Sequence, residues 1–163
     1  MVASPELVCW DSCTWISLIS KEKTYTESGA VECDRERLCK NVILQAEKGT
    51  LQIAVSAHCL AEVVVDGLDA YLDNEWFIVV NVDKQVGIIA RDLMKKGFVP
   101  KLKPMDAVHV ATALVANTKA LHTFDKKLLN LDNKIDMPSG SKLRICHPSL
   151  PGKEPPMLTQ KRS

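Results

Sequence analysis

Asp11, Glu62, Asp106 and Asp125 are the residues of this 163-residue chain whose type and placement suit chemistry. Asp11 ends a short apolar run, Leu7-Val8-Cys9-Trp10. Glu62 falls about two turns into a helical segment that opens near Ser56, and Asp106 stands in the first turn of an apolar helix starting at Pro104. Asp125 follows Thr123-Phe124. Carboxylates gathered on one rim repel one another and stay ionised together only beside a cation. Their oxygens select hard ions such as Mg²⁺ or Mn²⁺. One or two such ions would polarise a phosphodiester, activate a water and stabilise the leaving oxygen. Taken singly, each acid has a plainer explanation. Asp11 and Asp125 precede helices and suit N-caps, and Asp106 complements a helix dipole. Only their joint placement points to a site.

Several neighbours could serve it. Ser12 and Thr123 would orient a carboxylate, or else bond local backbone. His109 follows Asp106 by three and shares its helix face, as a proton shuttle or as a packed imidazole. Lys103, Lys126 and Lys127 stand next to the acids, and Lys95, Lys96 and Lys101 extend a basic stretch before Asp106. These lysines would hold phosphate groups or simply face solvent. Asp66, four residues after Glu62, ranks below the four acids. Trp10 and Trp15 read as core.

The elements that must position these groups alternate along the chain. Strands are expected at Glu6–Trp10, Leu51–Val55 and Trp76–Val80, at Lys119–Phe124 with Ala120, Leu121 and Phe124 apolar, and at Lys142–Cys146. Helices are expected from Ser12 to Ile19, from about Val31 to Lys48, and from Ser56 through Leu72. A fourth begins at Asn81 or Asp83 and stops at Gly97, a fifth starts at Pro104, and a short sixth opens at Asp125. The polar stretch from Ser20 to Ala30 reads as a loop or helix hairpin. The alternation implies an α/β domain with a mostly parallel sheet. In such sheets ligands bind beyond the carboxyl ends of the strands, where the four acids would lie.

Composition sets limits. Hydrophobic residues make up 46% and charged residues 25%, with a net charge of +1, so nucleic-acid contact would rely on local patches. The six cysteines sit mostly in apolar periodic segments, and Met1 to Pro5 leads straight into a strand, which together predict reduced thiols in a cytoplasmic protein. No C-x-x-C occurs and the four histidines are dispersed, arguing against zinc. No apolar run approaches a membrane span. Five prolines fall from Pro138 onward, so residues 1–147 are expected to form the domain and 148–163 a Pro-rich C-terminal tail.

The order Trp10-Asp11-Ser12, Ala61-Glu62-Val63, Met105-Asp106-Ala107-Val108-His109-Val110-Ala111-Thr112-Ala113 and Thr123-Phe124-Asp125 resembles that of PIN-domain nucleases. It is most similar to the VapC-type toxins of toxin–antitoxin pairs, over residues 6–146. The resemblance implies a three-layer α/β/α sandwich with a five-stranded sheet and an Mg²⁺- or Mn²⁺-dependent endoribonuclease. It also implies Asp11, Glu62, Asp106 and Asp125 as metal ligands, RNA as substrate, an antitoxin partner and a homodimer. Cys13, Trp15 and the tail depart from a minimal toxin. An RNA-processing factor, or a non-catalytic module binding RNA or protein, stays open as the alternative. A phosphatase-like hydrolase is disfavoured because Cys13 stands where a second aspartate would be needed.

Overall fold

The structure is a computed structural model and describes residues 3–151. Most of the expected tail, residues 152–163, lies outside the described residues, whereas Pro148 is buried.

The central strand β1 (Glu6–Trp10) pairs in parallel with β4 (Leu51–Ser56) on one side and β6 (Ala120–His122) on the other. β5 (Phe77–Val80) extends the sheet beyond β4, and β7 (Arg144–Cys146) extends it beyond β6, both in parallel. The order is β5-β4-β1-β6-β7. The sheet is therefore wholly parallel, and helices cover both faces, which makes the expected three-layer sandwich. Alternation along β1 splits the core: Val8 and Trp10 enter one half, Cys9 the other. The first half is closed by α1 (Ser12–Ile19), α2 (Arg35–Glu47) and α3 (Ala57–Glu62), through residues such as Trp15, Cys39, Val42 and Cys59. The second is closed by α5 (Lys84–Lys95), α6 (Pro104–Val115) and α7 (Lys126–Leu129), through Val86, Leu93, Val110 and Leu128. Trp10 and Trp15 are fully buried, with ring centroids 4.7 Å apart. No helix among the described residues is long and apolar enough to cross a membrane.

Three expectations are corrected. Neither a plain loop nor a helix hairpin spans Ser20 to Ala30; instead β2 (Lys23–Tyr25) and β3 (Val31–Asp34) form an antiparallel hairpin. Its tip turns at Gly29 (φ 83°), with the Thr26 hydroxyl accepting the Ala30 amide. The hairpin stands on the surface, with Tyr25 and Val31 exposed, so no alternation of buried and exposed residues marks it in the sequence. The second helix accordingly starts at Arg35 rather than Val31, capped by Asp34, whose carboxylate accepts the Arg37 amide at 3.0 Å.

The third helix does not run through to Leu72. α3 stops at Glu62, Val63 leaves helical geometry (φ −86°, ψ 81°), and a separate turn, α4, covers Asp69–Leu72. Three consecutive β-branched valines resist helix, and only Val63 of the first two turns inward, while Val64 is 84% exposed. Gly67 then takes φ +126°, which favours glycine, and a Cβ there would crowd Ile19 Cγ2 at 3.1 Å. Asp66 lies beyond the end of α3 and does not extend the face of Glu62.

Candidate active site

Asp11 is built in by the chain reversal at the carboxyl end of β1. It is the N-cap of α1, 3% exposed, and both its oxygens are engaged. Oδ1 accepts the Thr14 amide at 3.0 Å and the Thr14 hydroxyl at 2.7 Å, and Oδ2 accepts the Thr123 hydroxyl at 2.5 Å. The Cys13 thiol adds a weak donor 3.2 Å from each oxygen. Burial, and then the charge of Asp11, push that thiol up to about 12, which keeps it protonated and donating.

Thr123 couples two of the acids. While donating to Asp11, its Oγ1 accepts the Asp125 amide at 2.9 Å. Asp125 is in turn the N-cap of α7, with its carboxylate accepting the Lys127 amide at 2.8 Å. Asp106 lies in the first turn of α6, whose N1 position is Pro104 as expected. Its carboxyl is pushed above the ordinary range by partial burial, then by the charge of Asp125 and, less, of Asp11, against the pull of His109 and Lys103. Asp11 and Asp125 thus both bear on Asp106 across the carboxyl edge of β1 and β6.

Glu62 reaches the same edge as the last residue of α3. The fully buried His109 of α6 brings Nε2 within 2.9 Å of Glu62 Oε1, an ion pair whenever the imidazole is protonated. His109, with smaller help from His58 and Ser12, holds the Glu62 carboxyl below the ordinary range against partial burial. The contact is not aligned as a hydrogen bond, and Glu62 Oε1 and both His109 ring nitrogens are buried without an aligned partner. Ser12 therefore stands by Glu62, and the charge of His109 bears on both Glu62 and Asp106. Lys103 is the N-cap residue of α6, and exposed Lys126 and Lys127 open α7 beside Asp125.

Among the described residues no three His, Cys, Asp or Glu side chains stand close enough together to enclose one ion in this arrangement. Their chemistry nonetheless fits a hard cation. An oxygen of Glu62 is buried without an aligned donor, and Asp106 is raised by neighbouring negative charge that a cation would offset.

Two contributors carry little mark in the sequence. Thr14 fixes Asp11 with both its amide and its hydroxyl, and the same hydroxyl lies 3.0 Å from the His122 carbonyl oxygen. The only sequence signal is Asp11 followed by a threonine three residues on, a spacing shared with ordinary helix caps. His122 is the second. It is fully buried and its Nδ1 accepts from Trp10 Nε1 at 2.9 Å, beneath the strand ends that carry the acids. Burial pushes its pKa down to about 3. The fold therefore holds it neutral, and the unfolded chain takes up a proton at higher pH. Stability due to this group is complete above about pH 6.5 and falls as pH drops toward 3, by up to ~1.4 kcal/mol per pH unit. Denaturant unfolding at pH 7, 6 and 5 is expected to show this loss in the native chain and a shallower one in His122→Asn, which keeps an acceptor but does not titrate. Equal slopes in the two proteins would remove His122 as the cause.

The family model described as PIN domain matches residues 8–134 of this chain. No curated protein matches it significantly. Solved structures do. A toxin–antitoxin complex from Klebsiella pneumoniae matches at 22% identity, covering 75% of this chain and 89% of that one, with a TM-score of 0.50. VapC20 of Mycobacterium tuberculosis, described as a toxin that cleaves the sarcin–ricin loop, matches at 14% identity over 73% and 90%, TM-score 0.53. VapBC2 of Rickettsia felis, bound to a DNA fragment from its promoter, matches at 17% identity over 85% and 96%, TM-score 0.54. At these identities the likeness is one of fold.

Proposed function

Given that the chain belongs to the PIN domain family, we propose that it is a metal-dependent endoribonuclease and the toxin of a toxin–antitoxin pair. The observation that carries the catalytic reading is Thr123, which bonds Asp11 and the Asp125 backbone at one sheet edge, with both acids bearing on Asp106 and with Glu62 paired to His109 of the helix that carries Asp106. Asp11, Glu62, Asp106 and Asp125 would hold Mg²⁺ or Mn²⁺, which when bound supplies Lewis-acid activation of water and of the phosphodiester.

The chain's own groups do the rest. Thr14 and Thr123 lock Asp11 in one rotamer, so a carboxylate at the bottom of the site does not have to be ordered during reaction. Thr123 also carries the Asp125 backbone, which keeps those two acids in register. The His109 imidazole holds Glu62 ionised. Lys103, Lys126 and Lys127 flank the acids with positive charge suited to RNA phosphates. Cleavage of a panel of structured RNAs is expected in Mg²⁺ or Mn²⁺ and not in EDTA. Turnover that persists in EDTA would sink the metal-dependent mechanism.

The toxin role is supported by the descriptions of the solved relatives as toxins and toxin–antitoxin complexes. It calls for a small inhibitory protein that copurifies from native lysate and blocks cleavage, and for a second copy of this chain in solution. An active nuclease recovered without any inhibitor would instead favour an RNA-processing role.

A further inference from the structure

On the flank of α6 away from Asp106, a groove of about 550 Å³ runs between α5 and α6. Its floor is apolar, made by Ala90 and Met94 of α5 and Val108 of α6. Its rim is cationic: Arg91, Lys95 and Lys101 line it and are exposed. Among the described residues none of the three is salt-bridged to a carboxylate. We propose that this groove binds the flank of a single-stranded RNA whose cleaved phosphate lies at the four acids, an inference that rests on the nuclease reading.

The helix geometry supplies the connection. At 100° per residue, Pro104 and Val108 share one flank of α6 while Asp106 and His109 share the opposite one. A helix is about 10 Å wide, so a strand lying over the N-terminal end of α6 passes from groove to acids within a few nucleotides. Lys103, the N-cap residue, sits at that crossing. The chemistry of the groove suits this ligand. Apolar atoms of Met94 and Val108 accept the flat face of a base without selecting its identity, and three unpaired cations match successive phosphates. A second copy of this chain fits worse, because closing a protein surface over three unpaired cations carries a desolvation penalty with no offsetting charge.

The test is binding of a labelled single-stranded RNA of about a dozen nucleotides, long enough to fill one binding groove of this kind. Binding is scored in EDTA, so that turnover plays no part. For a chain carrying Arg91→Ala, Lys95→Ala and Lys101→Ala together, the Kd is expected to rise by about tenfold or more. The slope of log K against log salt should shrink by about two, at ~0.7 for each phosphate no longer neutralised. Lys119→Ala, ahead of β6 at the opposite end of the strands, should leave both values alone. Lys95→Arg with Lys101→Arg should bind like the native chain, which separates lost charge from a folding fault. A triple variant with native affinity and slope would overturn the proposal. So would a native chain that does not bind this RNA, or a triple variant that changes only self-association. Cleavage in Mg²⁺ judges the other reading separately. A native chain that cleaves while the groove variants bind normally rejects the groove alone, and one that binds through the groove but never cleaves rejects the nuclease alone.

Discussion

Asp106→Asn is expected to lower RNA cleavage by about 10²–10⁴-fold, the range typical for loss of an essential acid–base or ligand group, while leaving the fold at least as stable as before. Both halves of that result follow from one fact. Burial and the charges of Asp125 and Asp11 hold the Asp106 carboxyl above its ordinary range, so the ionised form is disfavoured in the folded chain. For a carboxyl raised in this way, stability falls as pH rises from the unfolded value through the folded one. Asparagine keeps the shape and removes the charge. In EDTA the variant should therefore match the native chain in acid and be the more stable of the two at neutral pH. Thermal unfolding at pH 4 and pH 7, paired with the cleavage assay, checks both claims. A variant that is inactive because it is destabilised at pH 7 would show that Asp106 serves the fold and not the site.

Thr123→Val is the complementary case, in which activity and stability fall together. Valine is nearly the same shape but removes the hydroxyl that donates to Asp11 Oδ2 and accepts the Asp125 amide. The residue is fully buried, so water does not replace those bonds. Leaving a buried carboxylate oxygen and an amide short of partners costs about 1–3 kcal/mol. Loosening the group that orients an active acid costs about 10–100-fold in activity. Thr123→Ser retains the oxygen and should recover most of both. If Thr123→Val cleaves RNA at the native rate, the fixed position of Asp11 is not needed for reaction.

The sheet is legible in the sequence because β1, β4 and β5 are short apolar runs set between helical periodicities, and the shorter β6 and β7 each carry a buried aliphatic centre, Leu121 and Ile145. Burial on both faces makes such runs conspicuous, as Leu51–Ser56 shows. The β2–β3 hairpin is hidden for the converse reason. It packs little against the core, so Lys23–Tyr25 and Val31–Asp34 have neither a run nor an alternation to give them away. The broken third helix shows a different limit. Leu60, Val63, Leu68 and Tyr71 do fall on one helical face, but Val63 already leaves helical geometry and Gly67 then takes a positive φ, and periodicity cannot register a backbone angle. At the site, the acids stand out by type and by the ends of the elements that carry them. Their supports do not. Thr14 matters because its hydroxyl reaches both Asp11 and the carbonyl of a residue 108 positions away, and that pairing exists only once β6 lies beside β1.

The central place of β1 also has a consequence in time. Among the described residues β1 precedes every other strand, yet five elements separate one of its two sheet partners, β6, from the other, β4. Asp11 receives its Thr123 bond from 112 residues downstream, and Asp125 arrives only with that same segment. A chain growing from its N-terminus on the ribosome thus carries Asp11, Glu62 and even Asp106 without the strand that joins them. Pairings this distant in sequence form late. The acids therefore come together only after the segment carrying Thr123 and Asp125 has been added and β6 has paired with β1.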